Sequence, residues 1–182
     1  MHFVSTENGF RLERNGTSFT FSVKKIPTCC EDFVKLTVRG TIPVPKIISG
    51  DRILLPVDEG IALVAEGEYE FGNISSDFCS RGGTMSMIII ERNGQYLLCA
   101  LDTGAYARYE LIKESGLYQL SMYCTEPCEV QYIICSTLAE ACRYYRRLKA
   151  HLLSFLENKI SALPESEKLI GGAIFWVWND DY

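Results

Sequence analysis

Histidine is almost missing from this chain, with two in 182 residues. A hydrolase of the serine–histidine kind needs an imidazole beside its nucleophile. His2 is terminal and His151 falls on a helical pattern without an evident serine or cysteine partner, so the sequence argues against that chemistry. Positive charge is short as well: 18 Lys and Arg stand against 23 Asp and Glu, a formal net charge of −5. Nucleic-acid surfaces are built from clustered cations, and no such partner is expected. No stretch reaches the ~20 apolar residues that span a bilayer. The opening Met-His-Phe-Val-Ser-Thr-Glu-Asn-Gly lacks the basic and apolar regions of a secretory signal. The expectation is a cytoplasmic protein with no membrane partner.

What remains describes a folded domain. Apolar residues make up 47% and charged residues 23% of the chain, enough for one sizeable core. Cysteine is plentiful, at eight. Cys99 and Cys135 sit inside apolar runs, where a thiol acts as a small hydrophobe. Cys124-Thr-Glu-Pro-Cys128 has a spacing zinc can use, with Cys29-Cys30 as a second pair. Adjacent cysteines make a poor half-site, however, and neither histidine lies near one. Reduced structural thiols are the favoured reading, with no metal and no cofactor. A metal or redox protein is the least favoured alternative.

From the start to about Ser136 the patterns are nearly all β. Asn15-Gly16 and Asn93-Gly94 each separate two strand-like runs, and that dipeptide suits tight hairpins because both turn residues need positive φ. A third hairpin is expected to join 107–113 to 117–123 through Glu114-Ser115-Gly116. Further strands are expected at 33–39, 52–55, 61–65, 68–71 and 129–135. Ten or so short strands without intervening helices predict an antiparallel β-sandwich over residues 1–136. Pro43 and Pro45 mark an edge or a connection.

At Thr137 the mode changes. Thr137-Leu-Ala-Glu140 has the form of a capping box. Leu138, Cys142, Tyr145, Leu148, Leu152, Phe155, Leu156 and Ile160 then recur at helical spacing, which predicts a long helix within a linker at 137–168. Leu169 to Tyr182 follows as an apolar run. Ile174-Phe175-Trp176-Val177-Trp178 is apolar on both alternating faces, the pattern of a strand covered on both sides in a parallel sheet. A sandwich, a helix and a doubly buried strand together predict a handover to a (β/α)₈ domain that begins at 169–182 and is truncated at Tyr182. The catalytic groups of such barrels lie at the carboxyl ends of the strands. Trp178, Asn179 and Asp180 stand at such an end and, with Trp176, are the candidate sugar-binding residues, since an indole face suits the C–H side of a pyranose and Asn and Asp bind hydroxyls. For the chain in isolation the favoured alternative is two core tryptophans and a solvated acidic tail.

Other candidates have ordinary explanations. Asp58-Glu59-Gly60 pairs two carboxylates at a turn, where solvated turn formers are the rule. Glu66, Glu68 and Glu70 alternate, so they are expected on one wet strand face. Ser80-Arg81-Gly82-Gly83-Thr84 lacks the lysine of a phosphate-binding loop. Arg143-Tyr144-Tyr145-Arg146-Arg147 reads as an exposed helix face.

The stretch from Arg143-Tyr144-Tyr145-Arg146-Arg147 to Glu167-Lys168-Leu169-Ile170-Gly171-Gly172-Ala173-Ile174-Phe175-Trp176-Val177-Trp178 resembles a domain junction in glycoside hydrolases of families 101 and 129, the α-N-acetylgalactosaminidase group. Leu55-Pro56-Val57-Asp58-Glu59-Gly60-Ile61 and Met87-Ile88-Ile89-Ile90-Glu91 are similar to strands of the sandwich that precedes the barrel there. The resemblance implies a galactose mutarotase-like supersandwich that supports a catalytic barrel acting on α-linked galactose or N-acetylgalactosamine glycans. It implies an aspartate nucleophile and a glutamate acid/base on later barrel strands. No residue of this chain matches either, so the catalytic set here is empty. The alternative is a stand-alone sandwich that binds carbohydrate or protein without turnover.

Overall fold

The computed structural model describes residues 1–56, 60–69, 72–78, 85–102 and 107–150. The chain divides into two units, Met1–Tyr145 and Arg146–Tyr182. Among the described residues the first unit is an antiparallel β-sandwich with the start of one helix. Its strands are β1 (His2–Thr6), β2 (Gly9–Arg14), β3 (Thr17–Ser22), β4 (Thr28–Cys29), β5 (Val34–Ile42), β6 (Arg52–Leu55), β7 (Ile61–Val64), β8 (Ile74–Asp77), β9 (Met87–Arg92), β10 (Gln95–Asp102), β11 (Ala107–Glu114) and β12 (Leu117–Cys135). The helix α1 runs Leu138–Leu148.

The predicted hairpins form with the expected turn chemistry. Asn15 and Gly16 have φ of 50° and 77°, and Asn93 and Gly94 have 48° and 70°. Arg14 then opposes Thr17, and Arg92 opposes Gln95. The third turn is shorter than expected. Glu114 pairs with Leu117, which leaves Ser115 and Gly116 as a two-residue loop with φ of 51° and 84°.

One strand organises the large sheet. β12 is 19 residues long, where two separate strands were expected. Its edge toward β5 is paired along both halves. Its other edge is taken by β11 over Leu117–Cys124 and by β10 over Glu129–Cys135. Two wings result, β5-β12-β11-β8 and β4-β5-β12-β10-β9-β6-β7. Pro127 does not end the strand because it falls in a bulge: Cys124 pairs with Gly40 and Cys128 with Val38. Four steps on β12 thus match two on β5. An insertion of two residues, unlike one, leaves every later side chain on its original face. Leu120, Met122, Cys124, Cys128, Val130, Tyr132 and Ile134 therefore all enter one core.

The second sheet, β1-β2-β3, covers the inner face of the longer wing. Phe10 pairs with Phe21 and Leu12 with Phe19, and all four are buried. The rings of Phe10 and Phe21 stack at 4.4 Å and meet Tyr132 edge-on, Phe21 at 4.9 Å. The Tyr132 hydroxyl donates to Pro43 O at 2.8 Å, so its burial leaves no orphan.

A buried ion pair on the large-sheet side also reaches the small sheet. Arg92 Nε donates to Asp51 Oδ1 and Nη2 to Oδ2, each at 2.7 Å. Arg92 also donates to Ser18 O at 2.7 Å and Lys46 O at 2.9 Å, and its guanidinium lies 4.6 Å from the centre of the Phe19 ring. The group therefore links β9, the connection between β5 and β6, and β3.

The outer face of the longer wing is apolar too. Ile133, Leu98, Ile89 and Leu54 form one cross-strand row. Helix α1 sits on this side: Tyr144 Oη reaches Gln131 Oε1 at 3.4 Å, and Ser86 N donates to Tyr145 Oη at 3.0 Å. The capping box forms in a variant way. Glu140 N donates to Thr137 Oγ1 at 3.1 Å, while the Glu140 carboxylate accepts from Ser136 N, one residue before the cap. The helical stripe also differs from expectation. Leu138 and Cys142 are exposed, and the sheet is met by Ala141, Tyr144 and Tyr145, because the tyrosine hydroxyls reach polar partners that a leucine row cannot use.

β1, β4 and β8 were not expected, and no strand runs through Glu68 and Tyr69, the described part of 68–71. Tyr69 instead folds back so that its hydroxyl accepts from Val64 N.

Gly9 gives a direct test of this packing. Its φ is +155°, and a Cβ there would lie 1.9 Å from the carbonyl oxygen of Phe21. Gly9→Ala is expected to destabilise the domain by about 3 kcal/mol in a urea titration, through backbone displacement between β2 and β3. Gly16→Ala meets no atom within 4 Å, and is expected to cost only about 1 kcal/mol, the strain of a left-handed residue.

Candidate functional site

On the shorter wing the outer face stays wet. Alternation turns Tyr109 and Leu111 inward on β11 and leaves Arg108, Glu110 and Ile112 outside. On β12, Leu120 and Met122 go inward while Ser121 and Tyr123 face out. Pairing then sets Thr41, Tyr123, Arg108 and Asp77 in one row across β5, β12, β11 and β8. Ser121, Glu110 and Ser75 form the row beside it. Thr41, Arg108, Glu110, Ser121, Met122 and Tyr123 line a hollow of about 200 Å³.

Its electrostatics are balanced. Arg108 Nη2 donates to Glu110 Oε1 at 2.7 Å, with both side chains partly open to solvent. The pair contributes little to stability at that exposure, but it fixes a donor and an acceptor side by side. Tyr123 is 47% exposed although its strand is paired on both edges. Its ring lies beside Gly40, where an added Cβ would touch Cε2 at 3.8 Å. A half-exposed aromatic ring with hydroxyl, guanidinium and carboxylate neighbours is equipped to hold a small polyhydroxylated ligand.

Two larger hollows are less equipped. One, of about 550 Å³, surrounds the β2–β3 turn from Glu13 to Ser18 together with Met1 and His2. His2 Nδ1 stays 3.8 Å from Glu13 Oε2, too far for a hydrogen bond. The other, of about 470 Å³, is lined by Glu7, Asn8, Ser22, Val23 and Lys24. Neither contains a tyrosine, phenylalanine or tryptophan ring; the first holds one buried polar residue, Thr17, and the exposed His2.

The candidates Trp178, Asn179 and Asp180 lie outside the described residues, as do Asp58, Glu59, Glu70 and 80–84. Glu66 and Glu68 do not share a strand face, because β7 ends at Val64. Glu66 caps the turn before β6: hydrogen bonds from Ser49 and the Gly50 amide hold its carboxyl below the ordinary range. Glu68 is lowered in turn by its contact with Lys113 at 2.5 Å. Arg143 is exposed as expected, whereas Tyr144 and Tyr145 turn toward the sheet. The hollow itself was legible only in part. In the sequence Tyr118, Leu120 and Met122 alternate with Gln119 and Ser121, which implies one wet face, but nothing local places Thr41 and Arg108 on either side of Tyr123.

Four of the thiols are built into the interior. Cys99, Cys124, Cys128 and Cys135 are buried, and no group of three His, Cys, Asp or Glu converges among the described residues. Burial pushes the Cys99 thiol far above the ordinary thiol range and raises Cys124, whose Sγ lies 3.5 Å from Gly40 O. Buried thiols of this kind remain protonated where metal ligation needs thiolates.

No protein-family model matches the chain, and no curated protein matches it at a significant level. A solved structure does share the fold. The α-N-acetylgalactosaminidase NagBb from Bifidobacterium bifidum, solved ligand-free, aligns with 78% of this chain at a TM-score of 0.54 and 13% identity. Its fold is shared by a glycoside hydrolase. This chain spans 36% of that protein's length. At such low identity the likeness speaks for the mainly β, antiparallel sandwich and for a structural relationship. No helix of the described residues is long and apolar enough to cross a membrane.

The burial pattern predicts the labelling of the described thiols. With iodoacetamide at about pH 8.5, near the ordinary thiol pKa, Cys29 and Cys142 are expected to react in the native protein. Cys99, Cys124, Cys128 and Cys135 are expected to react only in urea. Mass spectrometry of peptides reads the difference, and native labelling of Cys99 would contradict the buried core.

Proposed function

We propose that this chain is the non-catalytic amino-terminal sandwich of a glycoside hydrolase acting on α-linked N-acetylgalactosamine or galactose glycans. The observation that carries the reading is the fold shared with an α-N-acetylgalactosaminidase over 78% of this chain and 36% of that one. The sequence supports it independently, through the resemblance at the junction from Arg143 to Trp178. In this reading 1–136 is the sandwich, 137–168 the helical linker and 169–182 the first strand of a (β/α)₈ barrel. The sandwich buttresses the barrel, and Trp178, Asn179 and Asp180 contact the glycan at the mouth of that strand. The reaction needs two carboxyl groups flanking the scissile bond, about 5 Å apart in a retaining enzyme. The reading assigns that pair to later strands of the barrel.

The apolar outer row of Ile133, Leu98, Ile89 and Leu54 favours the same reading. A sheet covered on one side by a second sheet and on the other by a helix is rigid enough to brace a neighbour.

The gene beyond codon 182 provides the test. The polypeptide encoded with its downstream region is expected to hydrolyse nitrophenyl α-N-acetylgalactosaminide, and residues 1–182 alone are expected not to. A stop codon directly after Tyr182 would overturn the proposal. So would a folded, extended polypeptide inactive on that glycoside and on the α-galactoside.

A further inference from the structure

We propose that the hollow on the outer face of β5, β11 and β12 binds one neutral pyranose unit of a glycan. It rests on the chemistry of that surface and does not require that a barrel follow.

Four observations select this ligand. The first is Tyr123, an aromatic side chain 47% exposed in the middle of a sheet. An aromatic face carries negative quadrupole charge and attracts the polarised C–H bonds of a sugar ring, at little conformational cost. The second is the polar rim. The Thr41 and Ser121 hydroxyls both donate and accept, Glu110 accepts, and the five N–H groups of Arg108 exceed what its 2.7 Å contact with Glu110 uses. Sugar hydroxyls need that mixture of partners.

The third is charge. Arg108 is offset by Glu110, and Asp77 stands across from Arg108 in the same row. A phosphate, sulfate or nucleic-acid backbone would meet no positive excess here. The fourth is the backbone. β12 is hydrogen-bonded on both edges at this level, to β5 and to β11. β12, the strand that carries Tyr123, therefore offers no free edge here for a peptide to join as an added strand. The hollow, at about 200 Å³, matches a single sugar ring. It is too small for the clefts of roughly 300–1,000 Å³ that enclose larger ligands.

The register explains how the site is built. Thr41, Tyr123 and Arg108 come from three strands and lie side by side in one row. Ser121 and Glu110 stand one row further along, two residues away on β12 and β11. A ring seated on Tyr123 is flanked by donors and acceptors from all three strands, and their backbone is held by the sheet before any ligand arrives.

The test is an amide NMR titration of the 182-residue chain with methyl α-N-acetylgalactosaminide and methyl α-galactoside, up to about 50 mM, well above a millimolar Kd. Shifts centred on the amides of Thr41, Arg108, Ser121 and Tyr123 are expected. Tyr123→Ala is expected to weaken binding roughly tenfold, the loss of one aromatic contact, while Tyr123→Phe keeps it. Ser121→Arg, which fills the hollow from an exposed position, is expected to abolish the same shifts. Retained dispersion of the core amides verifies folding in each variant. The proposal is overturned if neither glycoside shifts these amides, if the shifts lie elsewhere, or if Tyr123→Ala binds like the native chain. Because no hydrolysis is measured, failure here leaves the enzymatic reading standing, and the reverse holds equally.

Discussion

The buried pair of Arg92 and Asp51 holds a guanidinium that ties the large sheet of this sandwich to the small one. Asp51 is wholly buried and the Arg92 side chain is 9% exposed. Removing two charges from water is costly unless their hydrogen bonds are replaced. Here the replacement is thorough: both carboxylate oxygens accept from the guanidinium, Oδ2 also accepts from Ile48 N, and two main-chain carbonyls take further guanidinium donors. Apolar burial holds the layers together without choosing an angle between them. The ion pair supplies direction, because Ser18 on the small sheet and Lys46 on an irregular connection must both point their carbonyls at one planar group. The connection carrying Pro43 and Pro45 is held in the same way, through Tyr132 and the Asp51 turn.

Around that anchor, β12 gives the molecule two kinds of outer surface. Beyond the bulge its outward residues are Gln131, Ile133 and Cys135, buried in a face that α1 reaches. Before the bulge they are Ser121 and Tyr123, in a face that stays wet. The inner face is continuous through both halves because the bulge adds two residues. A single polypeptide segment thus carries a bracing surface and an exposed polar one. The two functional proposals divide between them, support on the covered side and glycan contact on the open side.

Local chemistry made much of this legible in the sequence. Asn-Gly turns demand positive φ from residues that tolerate it, so two hairpins and the register of four strands followed from two dipeptides. The capping box and the change from β to α periodicity at Thr137 were equally local. What was hidden depended on distant partners. β1, β4 and β8 are edge strands whose sequences gain order from their neighbours. Arg92 stands directly before the Asn93-Gly94 turn, a position that is commonly solvated. Its alternation with Ile88 and Ile90 was the available sign that it points inward, but that sign names no counter-ion. Asp51 gave no sign at all, standing after Gly50 in what reads as an ordinary turn. Glu66 and Glu68 misled because alternation was taken for a strand where the chain turns to meet Gly50 and Lys113.

The central claim is that Arg92 and Asp51 form one energetically coupled buried unit, from which the guanidinium reaches Ser18 on the small sheet. A double-mutant cycle in urea, comparing Arg92→Met, Asp51→Asn and the double variant, measures this most directly. Each single change strands a buried partner and is predicted to cost about 3–5 kcal/mol, with the double variant well short of the sum, by about 2 kcal/mol or more. Single changes costing less than about 1 kcal/mol, or costs that simply add, would contradict the account.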